Sequence, residues 1–203
     1  MNTPTHALVA LAVLGRADNP PRNLWVLAGA LLPDAIIFFW APWQRWGAGR
    51  DWSAIWSHHY FDAPAQALIA PFNSVLIYGA LLIPGLWLTQ TTTLRRSWGT
   101  WITVFSLAAL IHIGLDAPVH SHDAYRHFWP LSDWRFYSPL SYWETDLHAR
   151  WVSLVETALV LTSAIILWRR FPKLWIKITL GLLVALALLG TAAQQLAATA
   201  PPG

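Results

Sequence analysis

Residues 98–119 read WGTWITVFSLAALIHIGLDAPV, and this stretch decides the fold. It is almost entirely apolar, and it matches the roughly 20 residues that a helix needs to cross a bilayer. Three further stretches have the same character: residues 64–89, 151–168 and 174–198. Of the 203 residues, 56% are hydrophobic and only 11% are charged, against roughly 25% charged in soluble domains. The sequence therefore predicts an all-α, polytopic membrane bundle with four long spans.

Two shorter apolar runs precede these spans, at residues 6–15 and 24–40. The first run is too short to cross a bilayer, and Pro33-Asp34 interrupts the second. We therefore expect one or two shorter N-terminal helices. Pro71 and Pro84 predict kinks or a break in the first long span. No Lys or Arg precedes the first run, which disfavours a cleaved signal peptide. Residues 1–203 are expected to form a single integral membrane domain.

Basic residues mark one side of this bundle. Three short connections contain a single acid, Asp18, and eight basic residues: Arg16, Arg22, Arg95, Arg96, Arg169, Arg170, Lys173 and Lys177. Cytoplasmic loops carry such an excess of Lys and Arg. Residues 41–63 and 120–150 are then expected to form a cap on the outer face of a bacterial or archaeal cytoplasmic membrane. Eight of the fifteen tryptophans, from Trp40 to Trp143, lie in or border these two segments, as residues at a membrane interface do.

The composition excludes several kinds of chemistry. With no cysteine in the chain, disulfides, thiolate metal sites and cysteine nucleophiles are ruled out, so any metal must be bound by imidazole and carboxylate. The formal charge is only +3 and the basic residues are scattered, which gives nucleic-acid binding little support. The sequence has no Gly-x-Ser-x-Gly elbow, phosphate-binding glycine loop or dinucleotide fingerprint.

Histidines are distributed asymmetrically. Six of the eight lie in the two predicted outer segments: His58, His59, His120, His122, His127 and His148. His112 lies near the outer end of its span, and His6 lies at the end of the first run that faces away from Arg16. None falls in a predicted cytoplasmic loop. This one-sided placement is the strongest functional signal in the sequence.

The sharpest motif joins His112, Asp116 and His120. Residues four apart share one helix face, with about 5–6 Å between Cβ atoms, so His112 and Asp116 can both reach one cation. Pro118 ends the helix, and the turn that follows can bring His120 back toward the same ion. Ionisable residues in membrane helices are costly, which makes this pair a candidate metal site. The alternative is a structural ion pair between His112 and Asp116.

Two other positions are candidate ligands. Asp34 follows Pro33 in an apolar run and has no basic residue close by in sequence. A buried carboxylate without a partner would protonate or destabilise the fold; the alternative is an interfacial helix cap. His58 and His59 precede the first long span. Adjacent side chains point in different directions on a helix, so one can bind a metal while the other faces water.

A second acidic segment leads into the span at residues 151–168. Glu144 and His148 are four residues apart and could share a helix face, with plain solvation of Glu144 at the interface as the alternative. Glu156 lies inside the span and needs a partner. The candidates are a metal, a ligating histidine that Glu156 would orient, or Arg150.

The order of these motifs resembles the membrane-bound metal-dependent hydrolases of the LexA-regulated type. Those proteins carry a Thr-His near the start, then a Leu-Pro-Asp, a histidine-rich segment before a span, and a His-x-x-x-Asp at a helix end. The corresponding residues here are Thr5-His6, Leu32-Pro33-Asp34, His58-His59 and His112 with Asp116. Residues 129–140 resemble the proline- and serine-containing segment that follows, and the likeness covers most of residues 1–160. His58-His59 stands where the family has His-Arg-x-x-x-His.

A more distant likeness is to zinc-dependent phospholipase C and the single-strand-specific zinc nucleases. Their helix motif of His, three residues, Asp and then Pro-x-His is similar to His112, Asp116 and Pro118-Val-His120. Three residues rather than five separate Asp116 from His120, and the acid that should follow His148 is replaced by Val152. This likeness implies phosphoester hydrolysis at a multi-zinc centre.

Residues and resemblance together predict a membrane-embedded metal-dependent hydrolase, an enzyme of phosphodiesterase or phospholipase type that cleaves a phosphoester or ester of a lipid. The expected metal ligands are His6, Asp34, His58, His59, His112, Asp116 and His120. His122, Asp123 and His148 are candidates to act as general acids or to orient a ligand, and Arg126 or Arg135 could hold a phosphate. Zinc, as one to three ions, suits imidazole and carboxylate ligands, with Mn or Fe as alternatives. The rival functions are metal binding or transport without catalysis, and a scaffold whose histidines are structural.

Overall fold

The computed structural model describes residues 1–199, in which the regular secondary structure is helical and no strand occurs. The predicted all-α bundle is confirmed; residues 200–203 of the predicted domain lie outside the described residues. The helices are α1 (Thr3–Leu14), α2 (Pro20–Pro42), α3 (Trp52–Ala54), α4 (Ala63–Ile69), α5 (Val75–Thr89), α6 (Thr93–Asp116), α7 (Ala149–Arg170) and α8 (Leu174–Thr199). Short π-helical turns follow α2 and α3, at Trp43–Gly47 and Ile55–His59.

Five helical segments in the described chain are long and apolar enough to cross a membrane: Pro20–Gly47, Ala63–Thr89, Leu94–Val119, Ala149–Arg170 and Leu174–Ala193. The sequence predicted four long spans, and α2 supplies the fifth because it runs unbroken through Pro33. The side chain of Asn73 donates a hydrogen bond to the Pro33 carbonyl at 3.2 Å.

The break predicted in the next span is found at only one of its two prolines. Pro71 lies in a 3-10 turn, Ala70–Asn73, that separates α4 from α5. Ser74 then begins α5 by accepting a hydrogen bond from the Ile77 N–H. Pro84 lies inside α5, which continues through it.

The short helix α1 packs into the bundle and contacts α2, α6, α7 and α8. Its apolar residues join those of its neighbours in one buried cluster, which includes Leu8, Ala10, Leu11, Val26, Ala30, Val104, Ala108, Val160 and Leu167. Because α1 lies among the longer helices, its first turn brings His6 into the interior, where this side chain is fully buried.

The two ends of the bundle differ. At the end that carries the basic loops, Arg170 of α7 donates hydrogen bonds to the carbonyls of Leu11 and Gly15. At the other end the two predicted cap segments pack together, and Tyr125 joins a buried cluster with Trp40, Ile55, Tyr60 and Ile69. The histidine-rich segments therefore form one folded layer over the end of the bundle.

Helices α2 and α6 approach most closely at Gly29. A Cβ atom on Gly29 would lie 2.1 Å from the Phe105 carbonyl oxygen, whereas a Cβ on Gly114 of α6 would meet nothing within 4 Å. We expect Gly29→Ala to destabilise the fold by about 1–3 kcal/mol through overpacking. Gly114→Ala should be neutral or stabilising by up to about 1 kcal/mol, because alanine is the better helix former.

Thermal unfolding of the purified protein in detergent checks this pair. Equal midpoints for the two variants would contradict the close packing of α2 on α6.

Candidate metal centre

Five side chains meet beneath the cap: His6 from α1, Asp34 from α2, His112 and Asp116 from α6, and His120 from the turn after α6. All five are buried, and Asp34, the most exposed, is only 9% exposed. The 3-10 turn Ala117–Val119 carries Pro118 and ends α6. The predicted reversal that brings His120 back toward Asp116 is thus present in the structure.

Asp116 lies at the centre of this group. Its Oδ1 lies 3.0 Å from His6 Nε2 and 3.5 Å from His120 Nε2, and its Oδ2 lies 3.1 Å from His112 Nε2. The Nε2 atom of His112 is also 3.5 Å from Asp34 Oδ1. Ligands about 2.0–2.2 Å from a tetrahedral zinc ion lie roughly 3.3 Å from one another. The ligand atoms of His6, Asp34 and His112 all lie within 4.8 Å of one another, so these three residues could hold such an ion.

Hydrogen bonding fixes which nitrogen of His112 faces the acids. His112 Nδ1 lies 2.7 Å from the Ala30 carbonyl oxygen. A carbonyl oxygen only accepts, so Nδ1 carries the hydrogen, and in the neutral ring Nε2 presents a lone pair to Asp34 and Asp116. A lone pair facing two carboxylates is repulsive unless a cation lies between them. Metal-ligating histidines are commonly oriented by this kind of bond to a backbone carbonyl.

His120 is oriented in a similar way, by Asp123. His120 Nδ1 lies 2.8 Å from Asp123 Oδ2, which also accepts a hydrogen bond from the Trp143 indole N–H at 3.2 Å. Burial alone would raise the pKa of Asp123, but the hydrogen bond and positive charge of His120 and the bond from Trp143 bring it below its usual value. Asp123 is therefore an ionised acceptor that holds the His120 ring, as carboxylates beside metal-bound histidines do.

Several nitrogens in this group lack hydrogen bonds. Within the described part of the chain, both ring nitrogens of His6 and the Nε2 atoms of His112 and His120 are buried and make no hydrogen bond of good geometry. The three Nε2 atoms nevertheless face Asp116 oxygens at 3.0–3.5 Å. The His6 and His112 rings are stacked, with centroids 3.6 Å apart. A structural ion pair would require positive imidazolium rings, and two stacked positive rings repel each other. A bound cation satisfies the same nitrogens with both rings neutral, so the residues fit a metal better than an ion pair.

The N-terminal segment also holds the two acids. The amino group of Met1 lies 2.6 Å from Asp116 Oδ1, and the Thr3 hydroxyl donates to Asp34 Oδ2 at 2.5 Å. Each carboxylate therefore has one contact that fixes it from the side of α1.

Glu156 supports the same segment. It is fully buried in α7, and its Oε1 accepts hydrogen bonds from the Asn2 N–H at 2.7 Å and the Thr5 hydroxyl at 2.6 Å. Neither Arg150 nor a ligating histidine is its hydrogen-bond partner; Arg150 is exposed. Because Thr5 precedes His6, Glu156 anchors the turn that positions the His6 ring.

A cavity of about 740 Å³ reaches this group from the surface. Asp34, His120 and Asp123 line one part of it. The remaining walls are largely aromatic and apolar, and include Ile37, Phe38, Trp56, Tyr60, Phe61, Tyr125, Tyr142 and Trp143. Phe38 is 62% exposed, so the cavity extends to side chains that face the surroundings of the bundle. Asp34 and His120 are thus accessible to a small ligand, whereas His6, His112 and Asp116 do not line the cavity.

Four histidines that the sequence predicted as ligands or as catalytic or orienting groups lie apart from the centre. His58 and His59 lie in the π-helical turn after α3, where the His58 ring contacts Ser57 and His59 Nδ1 lies 3.0 Å from Asp62. The structure does not bring them into the group of ligands, because their rings are paired with these near neighbours in the chain. His148 is exposed at the start of α7.

His122 is the most exposed of the four, with 73% of its side chain accessible. It pairs with Glu144, and this hydrogen bond raises the pKa of His122 above its usual value. Neither His122 nor His148 lines the cavity.

The two arginines predicted to hold a phosphate are occupied within the cap. Arg126 donates to Asp133 at 2.8 Å and to the Gln66 carbonyl at 2.6 Å. Arg135 donates to the Ala124 carbonyl at 2.6 Å. Neither lines the cavity, and both connect parts of the cap.

The sequence analysis missed three tyrosines at the site. Tyr60, Tyr125 and Tyr142 line the cavity, and the His120 ring lies between Tyr125 and Tyr142 with centroids 4.9 Å away on each side. Their closeness in sequence to His59, Asp123 and Trp143 was the only available signal. Nothing in that spacing distinguishes them from the other aromatic residues of the cap.

Comparison of the chain with protein-family models, curated proteins and solved structures finds no match. The functional interpretation therefore depends on the geometry of this centre and on the motifs in the sequence.

Metal analysis tests the centre directly. We expect purified wild-type protein to retain divalent metal stoichiometrically, and His112→Ala and Asp116→Asn to lose it. His122→Ala and Asp146→Asn, which change exposed residues of the same types, should retain it. Retention should also fall as the pH drops below about 6.5, because protonated imidazoles cannot bind a metal. Plasma emission spectrometry gives the metal content, and equal content in all four variants would contradict the assignment.

Substitution of Glu156 tests how His6 is held. Glu156→Ala removes both hydrogen bonds to the first turn of α1, and we expect metal affinity to fall about 10–100-fold, as it does when residues that orient ligands are lost. Glu156→Gln keeps a carbonyl acceptor and should recover much of the affinity. Ser163→Ala, a buried change on the same helix, is the control. Competition with a chelating dye measures the affinity, and an effect of Glu156→Ala no larger than that of Ser163→Ala would rule out the positioning role.

Proposed function

We propose that the chain is a membrane-embedded metal-dependent hydrolase that cleaves a phosphoester or ester of a lipid. The observation that carries this proposal is the convergence of unpartnered imidazole nitrogens on Asp34 and Asp116 beside an open cavity. Buried ionisable residues in membrane helices are costly and commonly mark functional sites.

The ligand set favours zinc, with manganese or iron as alternatives, since imidazole and carboxylate suit all three. A divalent ion held there would supply Lewis-acid activation of water for hydrolysis. His6, Asp34, His112, Asp116 and His120 are the residues that would hold it. Asp34 and Asp116 together balance the charge of one divalent ion.

Asp123 is the best candidate for proton transfer among the three residues suggested by the sequence. Its Oδ2 holds the His120 ring, while its Oδ1 has no hydrogen-bond partner among the described residues. A carboxylate is ionised at neutral pH. Asp123 lines the cavity, where its carboxylate could take up the proton of an attacking water.

The walls of the cavity support a lipid substrate. Small-molecule sites are mostly apolar with a few polar groups that fix orientation, and this cavity follows that pattern, since Phe38, Trp56 and Phe61 line it together with Asp34 and Asp123. A lipid could place its polar bond at the acids while its chain remains among the aromatic side chains. The one-sided basic loops support an outward-facing site in a bacterial or archaeal cytoplasmic membrane.

Ion transport is less well supported. A transporter needs polar groups near the middle of its spans. About one helical turn beyond the centre lie Ala10 in α1, Ala30 in α2 and Ala108 in α6, all fully buried in the apolar cluster of the bundle. At this level the described core is apolar at these three positions, which favours a hydrolase over an ion conduit. The order of motifs, similar to that of the LexA-regulated membrane hydrolases, adds to this preference.

Hydrolysis of two chromogenic substrates tests the proposal. Purified protein is assayed with p-nitrophenyl decanoate and p-nitrophenyl decyl phosphate, which represent the two ester classes. We expect release of p-nitrophenol from at least one, loss of activity on chelation, and recovery with zinc. Asp116→Asn should lower the rate by more than about 100-fold, since even residues that only orient a ligand cost 10–100-fold.

Asp146→Asn is the matched control and should keep the wild-type rate. Zinc-loaded protein that hydrolyses neither substrate, but moves zinc across liposome membranes, would overturn the proposal in favour of transport.

A further inference from the structure

We propose that the bond cleaved is an uncharged carboxylic ester on a single acyl chain, and that Tyr60, Tyr125 and Tyr142 form the subsite for its carbonyl group. This inference rests on the proposed hydrolase function and narrows its substrate class. It follows from the charges around the cavity, the state of the tyrosine hydroxyls and the shape of the apolar walls.

Basic side chains are missing from the cavity. Its described lining contains no Arg or Lys, and the two arginines of the nearby cap segment, Arg126 and Arg135, are hydrogen-bonded elsewhere. Proteins that bind phosphoryl groups rely on Arg or Lys clamps, metal ions or helix N-termini. Here the metal would have to act without help from basic side chains.

The buried charges beside the cavity do not favour the binding of an anionic substrate either. Asp34, Asp116 and Asp123 carry three negative charges, and Met1 contributes one amino group, which is already paired with Asp116. One divalent ion would bring the group to neutrality. A centre without net positive charge attracts a phosphodiester weakly, whereas an uncharged carboxylic ester meets no such penalty.

The tyrosines provide neutral donors. Tyr60, Tyr125 and Tyr142 all line the cavity. A tyrosine hydroxyl ordinarily has a pKa of about 10, so these side chains are neutral at neutral pH. Tyr142 Oη has no hydrogen-bond partner among the described residues. Neutral hydroxyl donors stabilise the negative charge that develops on a carbonyl oxygen during ester hydrolysis.

The apolar walls suit one acyl chain. Ile37, Phe38, Trp56 and Phe61 line the cavity, and Phe38 and Trp56 are also well exposed on the surface. A chain could therefore enter among these residues directly from the surrounding lipid. The volume of about 740 Å³ is that of a site for one small ligand, roughly 300–1,000 Å³. It thus favours a single-chain ester over a two-chain phospholipid.

Binding of two probes with the same chain tests the subsite without requiring turnover. Decanamide presents an uncharged carbonyl, and decyl phosphate presents an anion. Titration calorimetry with zinc-loaded protein in maltoside detergent should show decanamide binding at least tenfold more tightly. Tyr142→Phe and Tyr125→Phe should each weaken decanamide binding severalfold and leave the zinc content unchanged. Tyr137→Phe, an exposed change outside the cavity, is the control.

Each outcome of these experiments either supports the tyrosine subsite or overturns it. Decyl phosphate binding as tightly as decanamide, no binding of either probe, or equal behaviour of Tyr142→Phe, Tyr125→Phe and Tyr137→Phe would overturn the subsite. Selective decanamide binding without hydrolysis of either nitrophenyl ester would leave the subsite standing and contradict only the hydrolase. If both esters are hydrolysed, a kcat/KM ratio that favours the decyl phosphate would also overturn the inference.

Discussion

A carboxylate buried inside a membrane helix must be compensated by positive charge or hydrogen bonds, and Asp116 imposes this requirement on the whole structure. It is 1% exposed, close to the end of α6. Three imidazole rings and the Met1 amino group surround it. Removing such a charge from water costs several kcal/mol even in real proteins, after relaxation, so the surrounding chain is arranged to compensate it.

The other elements of the centre follow from this arrangement. Helix α1 is too short to span, yet it lies among long helices because its first turn must bring His6 to Asp116. Glu156 holds that turn from α7, and the end of α6 turns at Pro118 so that His120 can return. The cap then orients His120 through Asp123 and leaves a cavity beside the ligands. The compensation of the Asp116 charge, the packing of α1 and the access to the site therefore depend on the same set of contacts.

Local features of the sequence predicted much of this structure. Run length and hydropathy predicted the spans because both depend on a single helix, and the spacing of His112 and Asp116 predicted their shared face. The meeting of His6 and Asp34 with that pair depends on packing between α1, α2 and α6, for which only the order of motifs gave a hint. The interruption expected at Pro33 was wrong, since α2 continues through this proline from Pro20 to Pro42. The sequence did not predict the tyrosines of the site, because the cap is largely irregular and its sequence has no hydrophobic periodicity.

The central claim is that the buried histidines and aspartates bind a metal. Anomalous diffraction from crystals of the zinc-loaded protein, recorded at the zinc absorption edge, tests it most directly. The account predicts an anomalous peak about 2.0–2.2 Å from Asp116 and from at least two of the imidazole nitrogens of His6, His112 and His120. A well-ordered structure with no peak at these residues, or with its zinc bound only at His58 and His59, would contradict the account.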